Sequence, residues 1–341
     1  MANAREILDR MKSIQDTMKI TNAMYMISSS KLKKAKASLD ETEPYFYSMQ
    51  MAIGRILRHV PDMKSEFFNQ RPEIKPEDRK VGYIVVTADK GLAGSYNHNI
   101  FKDVEECLKN NSHAKLFVVG EMGRHYFEKK GLEIAHQFHY TAQNPSVSRA
   151  RNITEKILAD YNDVFADIMN GLLFAGEQRI LPEALVNTSI HSQYKAEDEK
   201  VHELERDVAK YWKEKEVELA ICGIENQSVV EKNMPFRVIG YDGTAYRSQL
   251  LEERKKILPV VTIVLYFGTD RHWNSKKNIK SLMEIPEGLD KFVNDYSMQV
   301  FEIAWLTEEE IERFQSDFRI VANFFVKKER TKIIYQMIRR K

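Results

Sequence analysis

A chain of 341 residues has room for about two domains, and its 43% hydrophobic residues can furnish two ordinary cores. With 52 Lys and Arg against 50 Asp and Glu the net charge is +2, so nothing global argues for nucleic acid or an anionic membrane. Cys107 and Cys222 are too few for a disulfide framework or a thiolate metal site and fit a reducing cytoplasm. Arg5 and Asp9 interrupt any signal peptide, and no apolar run approaches the ~18 residues of a membrane span, so a membrane would act through a partner.

Ala2 to Glu43 contain neither Gly nor Pro, while Ile7, Met11, Ile14 and Met18 recur in steps of four and three. That spacing predicts a helix with one narrow apolar seam, of coiled-coil type, within residues 1–60. A break is expected at Pro44, with helix resuming from about Met49 to Val60. About 40 helical residues would reach ~60 Å, too long to bury the seam on a small globule, so a partner helix is required. Lys31, Lys33, Lys34 and Lys36 then form a basic band, which reads either as a solvated face or as a contact for acidic partner loops.

The order Ile7, Arg10, Met11, Ser13, Ile14, Asp16, Thr17, Lys19, Ile20, Thr21, Ala23, Met24, Met26, Ile27, Lys31, Leu32, Ala35 resembles the N-terminal helix of the F-type ATP synthase gamma subunit. The resemblance implies a central-stalk component in proton-driven ATP synthesis, without a cofactor of its own. Its partners would be the alpha/beta hexamer and the epsilon subunit and c-ring, with Met24, Lys31, Lys33 and Lys34 binding them. It also implies a cytoplasmic place, peripheral at the inner face of the cell membrane.

After a Pro- and charge-rich linker from Arg71 to Arg79, VGYIVVTADKGLAGSYNHNIFK reads as strand, glycine turn and helix start, and AKLFVVGEMGRHYFEKKG as a second strand and helix. Gly91 and Gly94 lack the spacing of a phosphate loop. The block resembles T-x-D-[KR]-G-L-C-G-x-[YL]-N of the gamma family, with Ala93 and Ser95 at the two departures. The gamma-like region is taken as 1–155, its α/β part 80–155, and is expected to be a partial Rossmann-like domain. The family follows this with more sheet and a long C-terminal helix that pairs with the first. FRIVANFFVKKERTKIIYQMIRRK can make a helix but lacks that coiled-coil pattern, so the seam from Ile7 has no evident partner and weak subunit binding is expected.

From Tyr161, NDVFADIMNGLLF predicts an amphipathic helix with Val164, Phe165, Ile168, Leu172 and Leu173 toward a core. VELAICGIE, PVVTIVLYFG and MQVFEIAWL are strand candidates between charged helical stretches, giving a mixed α/β core. ERDVAKYW and EVELAICGIENQ can pair with a turn near Lys213 to Lys215, which brings Asp207 to Glu225. Period-two alternation puts Glu225 and Gln227 on the face of Val217, Leu219 and Ile221. Two carboxylates there suit Mg²⁺ or Mn²⁺ and phosphodiester hydrolysis. Equally, Asp207 could pair with Arg206 or Lys210 while Glu225 caps a turn.

The words NDVFADIMNGLLF, ERDVAKYW, GIENQ, MPFRVIGYDGTAYRSQL, VLYFG and FEIAWLTEEEIERFQSDFRIVANFF resemble the Rpn, or YhgA-like, transposase family of the PD-(D/E)XK nuclease superfamily. The region is taken as 156–330, followed by a basic tail at 331–341. The resemblance implies a metal-dependent DNA endonuclease with a PD-(D/E)XK-like mixed α/β fold. Its catalytic residues would be Asp207, Glu225 and Gln227, with Asp207 and Glu225 as metal ligands and Gln227 where the superfamily often has Lys. Asp163 is a further acidic candidate or a helix-start residue. Arg237, Arg247 and Gln249 are candidates for DNA phosphates, and Tyr241 and Tyr246 for packing. ARNITEKILADY fits the gamma pattern and the overlapping EKILADYNDVFAD the nuclease pattern, so a natural fusion and a chimeric gene both remain open.

Overall fold

In the computed structural model the described residues are 4–60, 74–75, 79–111, 114–138, 142, 145–188, 191–195, 201–205, 207–214, 217–251 and 256–339. The chain divides into two compact units, residues 1–71 and 72–341.

The first unit is one helix, α1 (Ala4–His59), which at the standard rise runs roughly 84 Å. It passes through Pro44 without the expected break. A proline inside a helix forfeits one backbone bond and costs about 3 kcal/mol, and here long runs of good helix formers on both sides sustain the helix cooperatively. Ile7, Met11, Ile14 and Met18 are all more than half exposed. The seam read from the spacing is therefore an open apolar stripe. Met24 and Lys31 share one face at the helical period of seven, Lys34 flanks it, and Lys33 lies on the opposite side.

The second unit begins with β1 (Gly82–Val86), α2 (Tyr96–Asn110), β2 (Lys115–Val119), α3 (Glu121–Lys129) and β3 (His136–Phe138). The three strands are parallel in the order β1-β2-β3, as helix crossovers require. Alternation along β2 divides the packing. Leu116 and Val118 meet Phe101 and Phe127 under α2 and α3, whereas Phe117 and Val119 join Phe138 against Ile153, Ile157 and Tyr161. Gly120 closes the β2–α3 turn at φ 100°, where an added Cβ would stand 2.3 Å from the Thr87 carbonyl oxygen. Only glycine fits both the left-handed backbone and that approach.

Ile153 and Ile157 belong to α4 (Val147–Asp160), capped by Ser146, whose hydroxyl accepts from the Arg149 amide at 3.2 Å. The same helix carries Leu158 and Ala159 into the main core of the second sheet, so α4 serves both sheets. At its C-terminal end the Asp160 carbonyl accepts from Lys115 of β2 at 3.2 Å and from Lys210 at 2.8 Å, and Lys115 also pairs with the Asp160 carboxylate. Cations at a helix C-terminus complement its dipole. Lys210 is fully buried, and burial pushes its ammonium down to about 8 against the pull of Asp160.

The second sheet has the order β10-β9-β8-β7-β4, built from β4 (Leu185–Asn187), β7 (Val208–Glu214), β8 (Val217–Gln227), β9 (Val260–Tyr266) and β10 (Gln299–Glu302). Strands β8, β9 and β10 run parallel, and β7 is antiparallel to β8 and β4, which is the expected mixed topology. A hairpin of β5 (His191–Lys195) and β6 (Val201–Glu205) forms a separate ladder that the sequence reading did not anticipate.

One face of this sheet is covered by α5 (Asn162–Leu173) and α8 (Phe318–Arg339), with α7 (Glu308–Glu312) held by a Thr307–Glu310 capping box. Val164, Phe165 and Ile168 are buried as expected, while Leu172 and Leu173 are only partly so. Phe318, Ala322, Phe325 and Val326 commit the α8 apolar face to this core, and the basic tail continues the helix to Arg339. The opposite face packs on α6 (Met234–Leu251) through Met234, Val238, Val264 and Tyr266.

Candidate functional site

The Val208–Ile224 pair, one residue inside, brings Asp207 and Glu225 side by side at the edge of the antiparallel β7–β8 ladder. Both are buried. Glu225 Oε2 accepts from the Asp207 amide at 3.3 Å, and Asp207 Oδ2 accepts from the Asn226 amide at 2.7 Å. Each carboxylate also has a cation: Arg237 donates to Glu225 Oε1 at 2.7 Å, and Lys156 lies 2.8 Å from Asp207 Oδ1. Gln227 Nε2 donates to Glu225 Oε1 at 3.2 Å, and the Tyr241 hydroxyl to the same oxygen at 3.3 Å. The three residues read as catalytic are thus gathered in one place.

Sequence reading missed two members, both on α4. Glu155 is buried with neither carboxylate oxygen hydrogen-bonded among the described residues. Burial pushes its carboxyl up to about 8, with Arg151 pulling it down and the nearby Asp207 charge adding to the rise. Lys156, its neighbour, supplies the ion pair to Asp207. The available signal was a charged pair set among Ile153, Ile157, Leu158 and Ala159, where the gamma and nuclease patterns overlap. Burial, then Asp207, likewise raises Glu225, while Arg237 and Lys156 pull it back.

Several expectations are corrected. Lys210 serves Asp160 and Asn187, so it is not the partner of Asp207, and Arg206 lies outside the described residues. Glu225 caps no turn; it sits inside β8. Asp163 pairs with Lys80 at 2.9 Å in the first turn of α5, which fits the helix-start reading. Gln249 is fully buried, accepting from the Leu258 amide at 2.7 Å, and cannot reach a phosphate. Arg237 is turned onto Glu225 and Tyr241, so Tyr241 does more than pack. Arg247 is exposed, and Tyr246 accepts from the Val260 amide at 3.2 Å.

Carboxylate oxygens are the ligand type that hard divalent cations take. No three His, Cys, Asp or Glu among the described residues form a preformed cage. Mg²⁺ does not need one, because it is commonly held by one or two carboxylates together with waters and substrate phosphates. Asp207 and Glu225 are such a pair, each oxygen already engaged by a protein donor, and Glu155, whose oxygens lack a hydrogen-bond partner among the described residues, lies within reach of the Asp207 charge.

A long open helix, a three-stranded parallel sheet and a mixed sheet edged with buried acids define an α/β protein of two segments joined through α4. Residues 3–232 match the ATP synthase family model, well over half of the chain, and the chain belongs to that family. Residues 218–340 match the YhgA-like transposase family model.

The curated relatives agree on the first segment. The chain is 45% identical over 163 residues to the ATP synthase gamma chain of Caldanaerobacter subterraneus subsp. tengcongensis, covering 48% of this chain and 55% of the relative. It is 50% identical over 161 residues to that of Ruminiclostridium cellulolyticum, 47% and 54% of the two chains. For Acetivibrio thermocellus it is 46% identical over 158 residues, 46% and 53% of the two chains. The chain spans about half the length of the curated relatives it matches. No helix among the described residues is long and apolar enough to cross a membrane.

Proposed function

We propose that the chain is an ATP synthase gamma-type central-stalk component whose α1 docks on subunits supplied from outside the chain, placing it peripherally at the inner face of the cell membrane. The open stripe of Ile7, Met11, Ile14 and Met18 carries this reading. Exposed apolar residues at coiled-coil spacing on one long helix are stabilised by pairing. The alpha/beta hexamer, epsilon subunit and c-ring are the proposed partners, with Met24, Lys31 and Lys34 toward them and Lys33 on the far side of the helix. The C-terminal sequence lacks the coiled-coil pattern of the family's shaft helix. Reconstitution with alpha and beta subunits is expected to show weaker binding than a gamma chain carrying both shaft helices, and no ATP-driven rotation. Robust rotation would overturn this reading.

A second reading rests on the buried carboxylates: a PD-(D/E)XK-like metal-dependent DNA endonuclease in the C-terminal segment. Asp207 and Glu225 would hold Mg²⁺ or Mn²⁺. The ion would supply water activation and neutralisation of the scissile phosphate. Gln227 orients Glu225 through its amide but, being uncharged, cannot stabilise an anionic transition state as an ammonium would. Tyr241 fixes the same carboxylate from α6.

A further inference from the structure

We infer that Lys156 of α4 is a built-in counter-ion which a divalent cation must displace from Asp207, so that α4 sets the metal affinity of the carboxylate site. The inference rests on the metal-site reading above and adds to it the residue that controls occupancy.

Lys156 Nζ lies 2.8 Å from Asp207 Oδ1, with the two side chains only 17% and 6% exposed. An ammonium that close occupies the space and the charge a metal would take, and partial burial leaves the two cations poorly screened from each other. Arg237 plays the corresponding part for Glu225, but from α6, inside the transposase-like match. Lys156 comes from α4, within the ATP synthase match that also covers Asp207 and Glu225. Its position is fixed from the other side: Ile153 and Ile157 pack with Phe117, Val119 and Phe138 of the parallel sheet, and Lys115 of β2 holds Asp160 at the helix end. A shift of α4 on that sheet would move the ammonium relative to Asp207. Metal binding and α4 packing are therefore linked, each biasing the other.

The test is calorimetric titration of the intact chain with Mn²⁺ alone, no DNA present, for the unsubstituted protein and for Lys156→Met, Lys156→Arg and Asp207→Ala, with far-UV circular dichroism confirming the fold. Lys156→Met keeps the length and loses the charge, and is expected to bind Mn²⁺ about tenfold more tightly. Lys156→Arg should stay within about twofold of the unsubstituted chain, because the charge is retained. Asp207→Ala should bind none. Equal affinity of Lys156→Met and the unsubstituted chain, with binding still lost in Asp207→Ala, overturns the counter-ion role alone. Binding indifferent to Asp207→Ala, or absent from every form including Lys156→Met, overturns the metal-site reading and the counter-ion role with it.

Discussion

Asp207→Ala is expected to reduce Mg²⁺- or Mn²⁺-dependent nicking of supercoiled plasmid by the intact chain at least about a hundredfold. The carboxylate does two things in the structure. It stands beside Glu225 as one of two adjacent oxygen donors, and its Oδ2 accepts from the Asn226 amide, which fixes the backbone between Glu225 and Gln227. Truncation removes a metal donor and loosens the strand carrying the other. It also removes the ion pair between Lys156 and Asp207 Oδ1. A control, Asp163→Ala, should leave nicking unchanged, because Asp163 is engaged with Lys80 at the start of α5. Equal nicking by unsubstituted protein and Asp207→Ala would remove the site assignment and point to a contaminating nuclease.

Glu155→Gln is expected to flatten the pH dependence of stability. Burial raises the Glu155 carboxyl from 4.5 to about 8, so the folded chain holds a proton there that the unfolded chain has already released. Stability from this group is complete below pH 4.5 and is lost as pH rises toward 8. Over that window each pH unit costs about 1.4 kcal/mol. Between pH 5 and pH 8, with chelator present, the unsubstituted chain should lose about 3 to 4 kcal/mol that Glu155→Gln does not lose. Glu225 is raised in the same direction and stays in both proteins, so the difference between their urea-denaturation curves isolates Glu155. Parallel pH profiles would mean that Glu155 is ionised in the folded chain.

Much of the fold follows from local pattern. The four-three spacing from Ile7 marked α1, and the alternation from Val217 to Gln227 marked both the strand and the shared face of Glu225 and Gln227. The Asp207–Glu225 approach was readable because two strands joined by a short turn can pair in few registers. Glu155 and Lys156 were not readable, because their role depends on a helix packed between two sheets, and a charged pair on an amphipathic helix ordinarily faces water. Gln249 misled for the converse reason: a polar residue late in a helix reads as surface, whereas here its amide satisfies both backbone groups of buried Leu258. Pro44 misled because its local penalty is small beside the length of helix flanking it.

That Asp207 and Glu225 form one divalent-cation site is tested most directly by anomalous diffraction from crystals of the intact chain grown with Mn²⁺. A peak about 2.0–2.3 Å from carboxylate oxygens of both Asp207 and Glu225, with the Lys156 ammonium moved away from Asp207 Oδ1, is the expected result. With Mn²⁺ at saturating concentration, an anomalous map without density between those two carboxylates, and Lys156 still seated on Asp207, would contradict it.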